Sequence, residues 1–101
     1  MSIQDTLLAR QERYGEFIEN ATIAQNLKDE LRSYKGWDKL SADKKESLDM
    51  IMTKTSRILS GNPEYPDNWH DIGGFAKLVE NMILTGSCYK EPREHSKKKP
   101  V

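Results

Sequence analysis

The chain has 101 residues, of which 36% are hydrophobic, and its sixteen acidic and sixteen basic side chains give a formal net charge of zero. This length predicts a single domain, and the balanced charge supplies no overall field that would draw the protein to nucleic acid or to an anionic membrane. One cysteine excludes an internal disulfide, and no run approaches the roughly 20 apolar residues of a membrane span. We therefore expect a soluble cytoplasmic protein whose partners are neither membranes nor nucleic acid.

The first third of the chain predicts two helices. Ser2 is a suitable N-cap for a helix over residues 2–13, which Gly15 is expected to break. A second helix over residues 16–34 carries an apolar stripe at steps of three and four residues. The stripe consists of Phe17, Ala21, Ala24, Leu27, Leu31 and Tyr34.

A connection over residues 35–40 follows, in which Trp37 and Leu40 are expected to fold back over the core. Ser41 is a good N-cap for a third helix, which Gly61 ends. Its predicted buried face consists of Leu48, Ile51, Met52, Thr55, Ile58 and Leu59. A last helix is expected over residues 68–84, burying Trp69, Ile72, Phe75, Ala76, Val79, Met82 and Ile83.

No segment shows the two-residue alternation of a strand. The fold class is therefore predicted to be all-α, with a four-helix bundle over residues 1–86. Residues 87–101 are rich in lysine and lack aliphatic side chains before Val101, so they predict a disordered basic tail. Because a domain this small buries little of its surface, we expect the protein to form a homo-oligomer.

Two carboxylates, Asp67 and Asp71, open the last predicted helix one turn apart. Stacked carboxylates repel each other unless a cation or a basic group lies between them. One reading makes Asp67 the N-cap and lets Asp71 complement the helix dipole. The other makes both residues oxygen ligands of Mg²⁺, which completes its coordination with substrate phosphates. His70 is either a partly exposed hydrogen-bonding residue or a candidate for acid/base catalysis.

Lys54 and Arg57 lie three residues apart on the third helix, where they form either a solvated pair or a contact for a phosphate. Gly73 and Gly74 each cost about 1 kcal/mol relative to alanine inside a helix. Their presence predicts either close helix packing or a ligand that rests against the bare backbone.

Glu16 and Glu19 share one face of one turn at the start of the second helix. They form either a solvated acidic turn or further metal ligands. Two aromatic residues, Tyr14 and Trp69, are candidates for stacking on a nucleotide base.

Three segments form an ordered pattern between roughly residues 10 and 80. They read Arg13-Tyr14-Gly15, then Leu48-x-x-Ile51-x-x-Lys54-x-x-Arg57-Ile58-Leu59-x-Gly61-Asn62, then Asp67-x-Trp69-x-Asp71-Ile72-x-Gly74-Phe75-Ala76-x-Leu78. The pattern resembles a family of small phage and prophage proteins of unassigned function. Its last segment is also similar to the final metal-binding helix of the all-α NTP pyrophosphohydrolases, the MazG and dUTPase-like superfamily.

The second resemblance implies a MazG-like bundle that cleaves nucleoside triphosphates to monophosphate and pyrophosphate, using Mg²⁺ held by acidic residues on two helices. Asp67 and Asp71 match one acidic pair, whereas Lys54 and Arg57 stand where the other pair is expected. Either Glu16 and Glu19 replace the missing pair, or the fold binds a nucleotide without hydrolysing it.

We therefore predict a phage-related, nucleotide-binding protein of the host cytoplasm, with Mg²⁺-dependent pyrophosphohydrolysis as its candidate activity. The alternative is a non-enzymatic phage accessory protein that binds and modulates a host protein. The sequence favours neither class strongly enough to decide whether the protein is an enzyme.

Overall fold

A computed structural model describes residues 2–86, and this part of the chain contains five helices and no strand. The helices are α1 (Ile3–Tyr14), α2 (Phe17–Arg32), α3 (Lys35–Asp38), α4 (Ala42–Ser60) and α5 (Pro66–Thr85). The all-α prediction is thus confirmed. The additional helix is α3, which forms a single turn where the sequence predicts a connection. The predicted basic tail lies outside the described residues.

Most helix ends follow the predicted signals. The Ser2 hydroxyl accepts a hydrogen bond from the Asp5 N–H at 3.1 Å and caps α1. Gly15 ends α1 at φ +85°, and Gly86 ends α5 in the left-handed conformation. Both glycines occupy backbone angles that other residues adopt at a cost.

The start of α5 differs from the prediction. The helix begins at Pro66 with Tyr65 as its N-cap, so Asp67 lies in the first turn and the reading of Asp67 as N-cap is wrong. Proline suits the first helical position because its missing N–H has no partner there in any helix and its φ is already helical.

Helix α4 lies between α2 and α5, which make almost no contact with each other in the described part of the chain. Helix α1 is tied to the end of α4 through its last residues, since the Asn62 N–H donates to the Arg13 carbonyl at 3.0 Å and the Ser60 hydroxyl donates to the Tyr14 carbonyl at 2.7 Å. No residue of α1 is buried. The three long helices therefore form an open layer with two broad faces.

Polar contacts join α2 to α4 at two levels. Arg32 donates two hydrogen bonds to the Asp49 carboxylate at 2.9 and 2.8 Å. Further along, the buried Ser56 hydroxyl donates to Asn20 Oδ1 at 3.0 Å. On α4, positions 49, 56 and 60 share one stripe at helical spacing, and this stripe faces α2 and the α1–α2 junction.

Few apolar side chains are buried. Within residues 2–86, Ala24 and Trp37 are the buried hydrophobic residues, while the buried polar residues are Ser47, Ser56 and Asn68. Trp37 is 9% exposed, with the Arg32 guanidinium 4.7 Å from its ring centroid. Trp37 is thus buried, whereas Leu40, for which the same folding back is predicted, is half-buried.

The structure covers the predicted buried face of α4 only in part. None of its six residues is fully buried, and Leu59 is 63% exposed. The reason is that α4 turns the adjacent polar stripe toward α2, roughly one residue or 100° further around the helix. Helix α5 shows a related shift, since Asn68 is buried and Trp69 is 56% exposed.

Candidate functional site

An open cleft of about 390 Å³ lies where α1 ends, α2 begins and α4 passes behind them. Gly15 makes this junction possible, because its positive φ turns the chain sharply and its missing Cβ lets the backbone contact the Ser60 carbonyl. The residues around the cleft include two cations, one carboxylate, two amides and two aromatic rings: Arg10, Arg57, Glu16, Gln11, Asn20, Tyr14 and Phe17.

Two arginines lie over the same tyrosine ring at the cleft. The guanidinium carbon of Arg57 is 4.7 Å from the Tyr14 ring centroid, and that of Arg10 is 5.1 Å from it. Within residues 2–86 neither guanidinium forms an ion pair. Each guanidinium lies over the π-face of the ring, an interaction of about 0.5–1 kcal/mol at exposed sites, and Glu16 is the carboxylate that lines the same cleft.

The aromatic cluster extends beyond the cleft. Tyr14 meets Tyr65 edge to face with ring centroids 6.0 Å apart, and Arg13 lies over the Tyr65 ring at 5.3 Å. The Tyr65 hydroxyl donates to the Asp67 carboxylate at 3.1 Å, and this hydrogen bond raises the pKa of Tyr65 above its usual value. Asp67 is therefore engaged with its own N-cap residue.

Lys54 and Asp71 form a direct ion pair between α4 and α5. Lys54 Nζ lies 3.0 Å from Asp71 Oδ2, with the lysine side chain 13% exposed and the aspartate side chain 40% exposed. The hydrogen bond from Lys54 lowers the pKa of Asp71 below its usual value, with smaller contributions from the charges of His70 and Arg57. The predicted basic pair is thus divided: Lys54 neutralises Asp71, whereas Arg57 faces Tyr14.

A second, more open cleft of about 490 Å³ follows one side of α5. His70, Asp71 and Gly74 line it, together with Phe75 and Leu78. A Cβ added to Gly73 or Gly74 would meet no atom of residues 2–86 within 4 Å, so the expectation of close helix packing at this pair is not met in the described part of the chain.

The other predicted site residues lie apart from the cleft that Arg10 and Arg57 line. The Trp69 indole N–H donates to the Pro63 carbonyl at 2.8 Å, and Trp69 lines neither cleft. Glu19 is exposed in the first turn of α2. Among residues 2–86 there is no group of three or more histidine, cysteine, aspartate or glutamate side chains placed to hold a metal ion.

The cleft contains two residues that sequence reasoning missed as site residues, Arg10 and Phe17. Arg10 precedes Tyr14 by four residues on a predicted helix, a spacing that places the two side chains on one face. That spacing was a usable signal. Phe17 is 83% exposed, yet its position in the apolar stripe assigned it to the core.

Comparisons with known protein families, with curated proteins and with solved structures find no match to this chain. The two resemblances drawn from the sequence therefore stay predictions. No helix among residues 2–86 has both the length and the apolar character that crossing a bilayer requires.

Proposed function

We propose that the protein binds a nucleotide in the cleft between α1, α2 and α4. The observation that carries this proposal is the pair of arginines, Arg10 and Arg57, that lie over the Tyr14 ring without a carboxylate partner in the described residues. Although the chain has zero net charge, two adjacent guanidinium groups without an ion-pair partner form a local positive site that favours the binding of an anion.

The chemistry of the cleft fits an anion that also carries a flat ring. Guanidinium groups bind phosphate oxygens through paired N–H donors, while the exposed Phe17 offers an aromatic face to a base. A volume of about 390 Å³ falls in the range of small-molecule sites. Asn20 and Glu16 at the same cleft supply hydrogen-bonding groups for a base or a sugar.

Magnesium enters this proposal as a companion of the phosphates. The described residues do not suit a protein-held Mg²⁺, since Asp71 is neutralised by Lys54 and Asp67 is engaged by Tyr65. A cation coordinated mainly by the ligand's phosphates needs few protein carboxylates. We therefore propose nucleotide binding as the function. A separate assay of pyrophosphate release tests for pyrophosphohydrolysis.

Isothermal titration calorimetry with ribo- and deoxynucleoside triphosphates, with and without Mg²⁺, tests the proposal. The variants Arg10→Ala and Arg57→Ala should each weaken binding by about tenfold, which corresponds to roughly 1.4 kcal/mol. Arg13→Ala is the matched control, because it removes the same charge from the neighbouring Tyr65 ring, outside the cleft.

The Arg13 variant should bind as the wild type does. Absence of binding by every triphosphate, or equal binding by all three arginine variants, contradicts the proposal. Pyrophosphate release measured in the same samples decides separately whether binding leads to hydrolysis.

A further inference from the structure

The side of the helix layer away from Arg57 and Asp71 carries apolar residues that no part of the described chain covers fully. Helical spacing places four residues of α4 on the side of that helix opposite Arg57. Three residues of α5 lie next to the stripe that faces α4, on the side away from Asp71. We define these seven as the apolar face: Leu48, Met52, Thr55, Leu59, Trp69, Ala76 and Ile83.

Three large side chains of the apolar face are more than half exposed, whereas Leu48 and Met52 are half-buried. Leu59, Trp69 and Ile83 are 63%, 56% and 55% exposed. Thr55 donates its hydroxyl to the Ile51 carbonyl at 2.7 Å, so its one polar side-chain group is already satisfied within α4. An apolar partner surface can therefore cover Thr55 without stranding a polar atom.

The apolar core of the described chain is small, and burial within one copy leaves these residues uncovered. Ala24 and Trp37 are the fully buried hydrophobic residues of the described range, and apolar burial is the main term that opposes the conformational entropy lost on folding. The missing burial has to come from a surface that is present whenever the chain folds. A second copy of the same chain meets that condition.

We infer that two copies pair through the apolar face, with their α4 helices antiparallel. Leu48, Met52, Thr55 and Leu59 are spaced by four, three and four residues, which is the spacing of a helix–helix seam. The spacing reads the same in both directions, so a two-fold axis places Leu48 of one copy opposite Leu59 of the other. Such an axis makes the interface self-complementary, and zero net charge imposes no overall repulsion.

The available area reaches the lower bound for a specific dimer. Helix α4 has 19 residues and is therefore about 28 Å long. Its packing beside α5 at roughly 8–10 Å gives the apolar face an area on the order of 500 Å². Two copies would then bury roughly 1,000 Å² in total, which is about the minimum for a specific interface.

Cross-linking distinguishes this pairing from others. In a Cys88→Ser background, Leu48→Cys and Leu59→Cys are purified separately, and each is oxidised alone and mixed with the other. Antiparallel pairing predicts disulfide dimers in the mixture at a yield at least about tenfold above either variant alone, because equivalent positions are about 16 Å apart along α4. Leu7→Cys, an exposed leucine of α1, is the control that should not cross-link with either.

Wild-type protein supplies the second measurement, which no substitution can confound. Its mass in solution should be twice 11.7 kDa, and its melting temperature should rise by at least about 5 °C between roughly 1 and 100 µM. Cross-linking of Leu48→Cys with itself would overturn the antiparallel arrangement. A stable monomer with concentration-independent melting would overturn the dimer and leave the apolar face to another partner. Nucleotide binding is read out separately, so either proposal can fail alone.

Discussion

The Ser56 hydroxyl donates a hydrogen bond to Asn20 Oδ1 at 3.0 Å in a site where Ser56 has no exposed surface. Asn20 extends the connection by donating its amide to the Tyr14 carbonyl at 3.0 Å. A polar network therefore joins α4 to α2 and to the end of α1, and it fixes the register in which the cleft residues meet.

Ser56→Ala should destabilise the protein by about 1 kcal/mol, the usual net contribution of one intramolecular hydrogen bond, because it leaves the half-buried Asn20 side chain without this donor. Urea unfolding followed by circular dichroism measures the change. Ser33→Ala is the control, since Ser33 is exposed and should change stability by no more than about 0.5 kcal/mol. Equal stability of both variants would show that the network does not organise the interface.

Gly15→Ala should destabilise the fold and distort the cleft. Gly15 has φ +85°, and an added Cβ would overlap the backbone of Ser60. Positive φ alone costs about 1–3 kcal/mol for a residue with a side chain, and the overlap adds to it. Gly36→Ala is the matched control because a Cβ there meets nothing within 4 Å. Similar melting temperatures for the two variants would contradict the tight junction.

Gly73→Ala and Gly74→Ala test whether anything rests on α5. Both positions are helical and open within the chain, so alanine should raise the stability of the isolated protein by about 0.5–1 kcal/mol at each site. Thermal unfolding measures this effect. A loss of stability or of oligomeric mass at either position would indicate that a partner or ligand occupies the glycine surface.

The sequence was sufficient to predict the fold class and most helix ends, because caps and helix-ending glycines act locally. It failed on which stripe of α4 is buried. Hydrophobic periodicity located Leu59 and its neighbours correctly on one face, but assumed that the apolar face is the one packed within the chain. The structure instead packs the stripe of Asp49 and Ser56 against α2, a choice that hydrogen-bond geometry across helices decides.

The candidate site was predicted only in part, because its assembly also depends on contacts between helices. Tyr14, Arg57 and Glu16 come together at the cleft, although the sequence assigned them separate roles on three helices. Their meeting depends on the turn at Gly15, whose tertiary contact with Ser60 no local pattern reveals. Lys54 was paired with Arg57 by spacing, whereas its closest charged partner belongs to the next helix.

Asp71→Asn should alter the acid limb of the stability curve. Lys54 lowers the pKa of Asp71 in the folded protein, so the ion pair stabilises the fold above the usual aspartate pKa of about 4 and loses its effect as the pH falls through the lower folded-state value. The difference in melting temperature between wild type and variant should be full at pH 6 and shrink below about pH 4. Asp67→Asn, which leaves the Lys54 pair intact, should keep the wild-type acid limb. A constant difference down to pH 3 would contradict the pair.

Phe17 distinguishes an aromatic platform from a merely positive cleft, because it is exposed at the cleft. Phe17→Tyr keeps an aromatic ring there and should retain nucleotide affinity, whereas Phe17→Leu removes the stacking surface and should weaken binding by about tenfold or more, since stacking on a base contributes roughly 1–3 kcal/mol. Inorganic triphosphate, which has no base, separates the two contributions when it is titrated into the same variants. Its affinity should follow the arginines and change little in Phe17→Leu. If the leucine variant loses nucleotide and triphosphate binding equally, Phe17 acts on the shape of the cleft, and the base has to be recognised elsewhere.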